Sequence, residues 1–107
     1  MTTYILDEKN NPVVCKNIRK WGRFMQDKKF QLSDQVFDGD GKQECILSTV
    51  FLGLDHRLIG SGPPLLFETM IFGGERNQEQ HRTSTYAQAI SLHDQILTEL
   101  REELSTS

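Results

Sequence analysis

Asp55, His56, Glu68 and His93 are the residues of this chain whose types could do chemistry together. A carboxylate beside an imidazole can move a proton or hold a metal ion, and a second such pair would complete the donor set of a small metal-dependent hydrolase. Glu68 is a single carboxylate within the apolar run Leu65 to Phe72, and His93 lies on the apolar stripe of a C-terminal helical pattern. Buried polar groups must be satisfied whatever a protein does, so a structural pairing of His93 with Glu68 is the leading expectation for these two. Cys15 and Cys45 show no CxxC or Cys/His spacing of the zinc-site kind and no activating base, which predicts two reduced, partly buried thiols. Neither Gly60-Ser-Gly62 nor Gly73-Gly74 matches a phosphate loop, and GxSxG and HExxH are missing. The motifs therefore point to no cofactor and no dedicated metal site.

Binding is the other chemistry these residues offer. The segment Gly53 to Pro64 is about twice the median length of a connection, and long loops in compact domains often carry function. It holds Asp55, His56 and Arg57 beside Leu58 and Ile59, two apolar residues suited to anchor a partner while Arg57 supplies a polar hold. The plain alternative has Asp55 bonding the loop backbone, His56 exposed and the apolar pair tucked onto the sheet. A second binding candidate is the basic segment Lys16, Arg19, Lys20, Arg23, Lys28 and Lys29, where Asp27 is the only acid. Cations around an aromatic suit a nucleotide or a single strand, and Arg19, Arg23, Arg57 and Arg82 would then line one pocket. Trp21 nevertheless sits on the apolar stripe, which favours a core role and leaves a solvated cationic face.

The elements that position these groups follow from periodicity. Tyr4-Ile-Leu and Pro12-Val-Val flank a polar Asp/Asn turn and read as an edge hairpin. From Lys16 to Gln26, Val14, Ile18, Trp21 and Met25 recur at helical spacing with Phe24 widening the stripe. Phe30, Leu32 and Val36 alternate with polar residues in a half-buried strand that ends at Asp38-Gly-Asp-Gly, a strong hairpin signal. Gln43 to Leu52 and Leu65 to Phe72 read as a central strand pair, and Glu75 to Arg82 as a loop. Thr85 and Gln88 form a capping-box pattern opening a helix to about Leu104, with Ile90, His93, Leu97, Leu100 and Leu104 inward. The expected fold is one α+β domain over residues 1–107: a small antiparallel sheet of about four strands, a short N-terminal helix and a longer C-terminal one.

Composition bounds the class. With 107 residues, 36% hydrophobic and 25% charged, the chain can bury one core without staples. A net charge of −3 argues against a general nucleic-acid coat, although acids gather at Glu99, Glu102 and Glu103 and the molecule reads as dipolar. No apolar run approaches the roughly 20 residues of a membrane helix, and the N-terminus has no secretory pattern, so a cytoplasmic location is expected.

Ser48-Thr-Val-Phe-Leu-Gly-Leu-Asp-His56, Pro64-Leu-Leu-Phe-Glu-Thr-Met-Ile-Phe-Gly-Gly74, Arg82, Ser84-Thr-Tyr-Ala87 and His93 together resemble a family of small bacteriophage and prophage proteins. Tyr4-Ile-Leu-Asp and the Trp21 segment are also similar, so the resemblance covers most of the chain. It implies origin and a setting in the cytoplasm of an infected or lysogenic host, and it carries over no catalytic residue, because no reaction is assigned to the family. Here Arg57-Leu-Ile replaces part of a segment that is often shorter and richer in glycine. Together with the missing enzyme motifs, this favours an accessory protein that binds a host protein, interference with a bacterial defence system being the leading purpose. Capture of a nucleotide or nucleic acid is the alternative, followed by the metal-dependent hydrolase; a homo-oligomer is compatible with each.

Overall fold

The computed structural model describes residues 2–27, 30–55 and 62–105. In chain order the elements are β1 (Tyr4–Leu6), β2 (Pro12–Val14), α1 (Ile18–Asp27), β3 (Gln31–Phe37), β4 (Gln43–Phe51), β5 (Phe67–Phe72), β6 (Gln80–Thr83) and α2 (Tyr86–Ser105). β1 and β2 form a separate two-stranded sheet, and the other strands form a four-stranded antiparallel sheet in the order β3-β4-β5-β6. The α+β class, the short first helix and the long second one are as expected. The segment read as a loop from Glu75 to Arg82 instead contains most of β6, whose polar sequence Gln80-His-Arg-Thr suits an edge strand and hides it from a hydrophobicity search.

Local chemistry explains the joints. Asp38 Oδ1 accepts the amides of Asp40 and Lys42, closing the β3-β4 turn with Gly41 at φ +79°. Asp7 Oδ1 does the same for Lys9 and Asn11 in the first hairpin, and the Asn11 amide bond is the main reason the Asp7 carboxyl lies below its ordinary range. Asn17 caps α1, its Oδ1 accepting the Arg19 and Lys20 amides. The capping box at α2 is formed as the sequence predicts: the Gln88 amide donates to Thr85 Oγ1 at 3.1 Å, and the Thr85 amide donates to Gln88 Oε1 at 3.2 Å.

Both helices pack on one side of the four-stranded sheet. α2 lies along the strands with Ala89, His93, Ile96, Leu97 and Leu100 buried. Its C-terminal half meets Val36, Cys45, Leu47 and Ile71 in one apolar cluster. A second cluster joins Phe51, Leu66, Phe67, Ala89 and Leu6, with Phe24 and Met25 of α1 against it. Phe24 stands edge-on to Phe51 at 6.0 Å, and Phe51 in turn packs at 5.4 Å on Phe67. α1 is held less by its stripe than expected. Val14 lies in β2 and is 54% exposed, and Ile18 at the first turn is 63% exposed, so only Trp21, Phe24 and Met25 turn inward.

Gly53 is where these pieces meet. Its carbonyl accepts the Trp21 indole N–H at 3.2 Å and the Tyr4 amide at 2.8 Å. At φ +73°, with Met25 Sδ only 2.6 Å from where a Cβ would stand, the position requires glycine on two separate counts.

Candidate functional site

Between the two apolar clusters lies a polar layer that crosses the sheet. Thr49 on β4 and Thr69 on β5 are direct register partners on the inner face, and their hydroxyls are 2.7 Å apart. Thr49 Oγ1 lies 2.8 Å from His93 Nδ1, and His93 Nε2 lies 2.8 Å from Asp34 Oδ2 on β3. For a neutral ring the inventory of donors assigns one direction to this array. An ionised Asp34 only accepts, so Nε2 carries the proton; Nδ1 then accepts from Thr49, which accepts from Thr69. Every donor and acceptor named is satisfied in this arrangement.

The array resembles an acid–histidine–hydroxyl relay in its parts, but its placement serves packing. Thr49 and His93 are 0% exposed and Thr69 is 1% exposed, so neither hydroxyl can meet a substrate. Only the Asp34 end, with its side chain 34% exposed, reaches solvent. What the layer does is fasten α2 to three adjacent strands by directional bonds where an apolar layer would allow slippage.

The expected pairing of His93 with Glu68 is not formed. Successive residues of a strand point to opposite faces, so Glu68 looks away from the helices while its neighbour Thr69 looks towards His93. Glu68 instead meets Arg82, its register partner on β6, with Arg82 Nε donating to Oε2 at 3.1 Å. Asp55 accepts the Leu65 amide at 3.1 Å, as in the plain reading of its loop. His56, Arg57, Leu58 and Ile59 lie outside the described residues. The sheet thus divides Glu68 from His93, and these two do not share one centre. Among the described residues no group of three or more histidine, cysteine or acidic side chains is set to hold a metal ion.

The proposed arginine pocket divides in the same way. Arg19 and Arg23 are exposed on α1, on the helix side of the sheet, whereas Arg82 is engaged with Glu68 on the other side. Cys15 and Cys45 are free thiols and both are buried, Cys15 donating to the Asn17 carbonyl. Burial first, and the nearby Glu44 second, push the Cys45 thiol up and away from reactivity.

Two arrangements were not read from the sequence. Asp34 had a signal: it shares the parity of Leu32 and Val36 on β3, and a carboxylate at an inward position calls for a partner. Arg76 had none, because its three partners come from two separate places, the turn before β6 and the helix α2. It donates through Nε and Nη2 to both oxygens of Glu79, at 3.0 and 2.6 Å, and through Nη1 to Glu99 and Glu103 of α2 at 3.1 Å each. This bidentate contact, helped by His81 at 2.9 Å, lowers the Glu79 carboxyl to about 2. The acids gathered near the C-terminus are in part a clasp on the turn before β6.

The remaining feature is the outer face of the sheet. Ile46, Val50 and Met70 are half-buried and Phe72 and Phe37 are 48% and 49% exposed, with Ser33, Ser48, Gln31, Gln35 and Gln80 around them. Neither core cluster includes Ile46, Val50, Met70 or Phe72. Among the described residues, the charges at outward strand positions of this face are Glu44, exposed at the start of β4, and the mutually neutralising Glu68 and Arg82, so its centre at Ile46, Ser48, Val50 and Met70 carries none. Among the described residues no helix is long and apolar enough to cross a membrane. No protein-family model, curated protein or solved structure matches this chain.

Proposed function

We propose that this chain works by binding a protein through the outer face of its four-stranded sheet, as a small phage-encoded accessory factor directed at a host protein. The observation that carries the reading is the apolar patch formed by Ile46, Val50, Met70, Phe37 and Phe72 on the side opposite both helices, with the charged residues Glu44, Glu68 and Arg82 standing around it. The centres of protein interfaces are depleted in charge and enriched in Phe and Met, whereas an ordinary solvated sheet face alternates apolar-in with charged or polar-out. The burial of His93, Thr49 and Thr69 supports binding over catalysis, since it keeps the acid–histidine–hydroxyl array found among the described residues away from any substrate.

The setting comes from the similarity of the sequence to phage and prophage proteins, and a component of a bacterial defence system is the target class to test first. Strains carrying single defence systems would be infected with a sensitive phage while expressing this chain or its Met70→Ser/Phe72→Ser variant. Restored plating on at least one strain, lost with the variant, is expected. Equal restoration by both proteins would remove the outer face from the function, and no restoration on any strain would remove the defence target.

A further inference from the structure

We propose that the exposed face of α1 is a second binding site, one that takes the phosphate backbone of single-stranded nucleic acid. Lys16, Arg19, Lys20 and Arg23 are all exposed. Residues three and four apart are neighbours on a helix surface, so Arg19, Lys20 and Arg23 form one cationic face that Lys16 extends beyond the helix start. None of the four has a salt-bridge partner among the described residues, although Arg76 and Arg82 of the same chain are both clasped by carboxylates. In a protein of net charge −3, a segregated and unpaired cationic face is the place where a polyanion can approach.

A second observation selects a single strand over other polyanions. Beside Lys20 and Arg23 a small cavity of about 170 Å³ is lined by Ile5, Phe24 and Asp27 as well. Its walls are mainly apolar, and Phe24 is fixed there by its edge contact with Phe51. Cations that follow a backbone next to an aromatic that meets an unstacked base are the combination used to bind single strands, whereas a duplex offers no free base to such a cavity. Trp21 does not take part, because its indole N–H is committed to Gly53. Asp27 is the one carboxylate at the cavity, and it opposes the ligand.

The test is fluorescence anisotropy of a fluorescein-labelled oligo-dT titrated with the full chain across a salt series. Four phosphate contacts to a single strand give a slope of log K against log salt of about −3, and each of Arg19→Ala, Lys20→Ala and Arg23→Ala should reduce its magnitude by about 0.7. Asp27→Asn should tighten binding, and Met70→Ser/Phe72→Ser on the outer sheet face should leave it unchanged, which separates this site from the protein-binding reading. Circular dichroism of each variant verifies that it is folded. Absence of salt-dependent binding at low salt would overturn the proposal. Equal or tighter binding of a duplex of the same length would overturn the single-strand assignment. Displacement of oligo-dT by polyglutamate at equal charge concentration would assign the face to an acidic protein surface instead.

Discussion

His93 of α2 and Asp34 of β3 meet at 2.8 Å although 59 residues separate them, and the contact is the outer end of a hydrogen-bonded line that continues through Thr49 to Thr69. For a neutral ring the line fixes the tautomer. A nitrogen-15 correlation spectrum of the imidazole in the neutral protein should show the proton on Nε2 and a bare Nδ1. The opposite tautomer would leave Asp34 facing an acceptor and would contradict the assigned direction.

Thr49 is the midpoint, so its loss should be felt on both sides. Thr49→Val strands the Thr69 hydroxyl and leaves Nδ1 without a donor, at a cost of about 2–6 kcal/mol, given about 1–3 kcal/mol for each buried group left unpaired. Adding Thr69→Val removes one of those stranded groups. The double variant should therefore cost clearly less than the sum of the two singles in urea unfolding. Additivity within about 0.5 kcal/mol would mean that the hydroxyls do not act as one line.

Gly53→Ala should destabilise the chain by more than the about 1–2 kcal/mol of a left-handed residue alone, because the new methyl also meets Met25 and Trp21. Gly41→Ala, with a similar φ of +79° and open space around it, supplies the control for the backbone cost. A calorimetric melting point that falls equally for both would show that the junction of α1 with β4 gives way without cost.

Acid should weaken the fold through Glu79. Its carboxyl is lowered from 4.5 to about 2 by Arg76 and His81, so the folded state holds fewer protons than the unfolded state between those values. The contribution is present in full above about pH 4.5 and is lost as the pH falls towards 2. Urea midpoints for the wild type should drop through that window, and Glu79→Gln should flatten the drop. A decline of the same steepness in the variant would place the acid sensitivity elsewhere.

Sequence periodicity was enough to find the β4-β5 pair, both hairpin turns, the α2 capping box and the inward face of α2, because each rests on a local pattern. β6 escaped because an edge strand of Gln-His-Arg-Thr has no apolar alternation and is defined by its partner β5. The partner of His93 differs from the sequence expectation for a related reason. Glu68 had the right chemistry, yet the parity already visible in β5 sends it to the outer face, and the same parity applied to β3 points Asp34 inward. The Arg76 clasp depends on where α2 lies against the β5-β6 turn, which no local pattern encodes.

The central claim, that the chain acts through the outer sheet face and not through the His93 layer, is tested most directly by site-specific photocrosslinking in host cells. A photoreactive residue at Met70, on the outer face, would be compared with one at Asp94, exposed on the helix side. The account predicts one discrete adduct from position 70, lost when Phe72→Ser is added, and none from position 94. An adduct from position 94 with none from position 70 would contradict it.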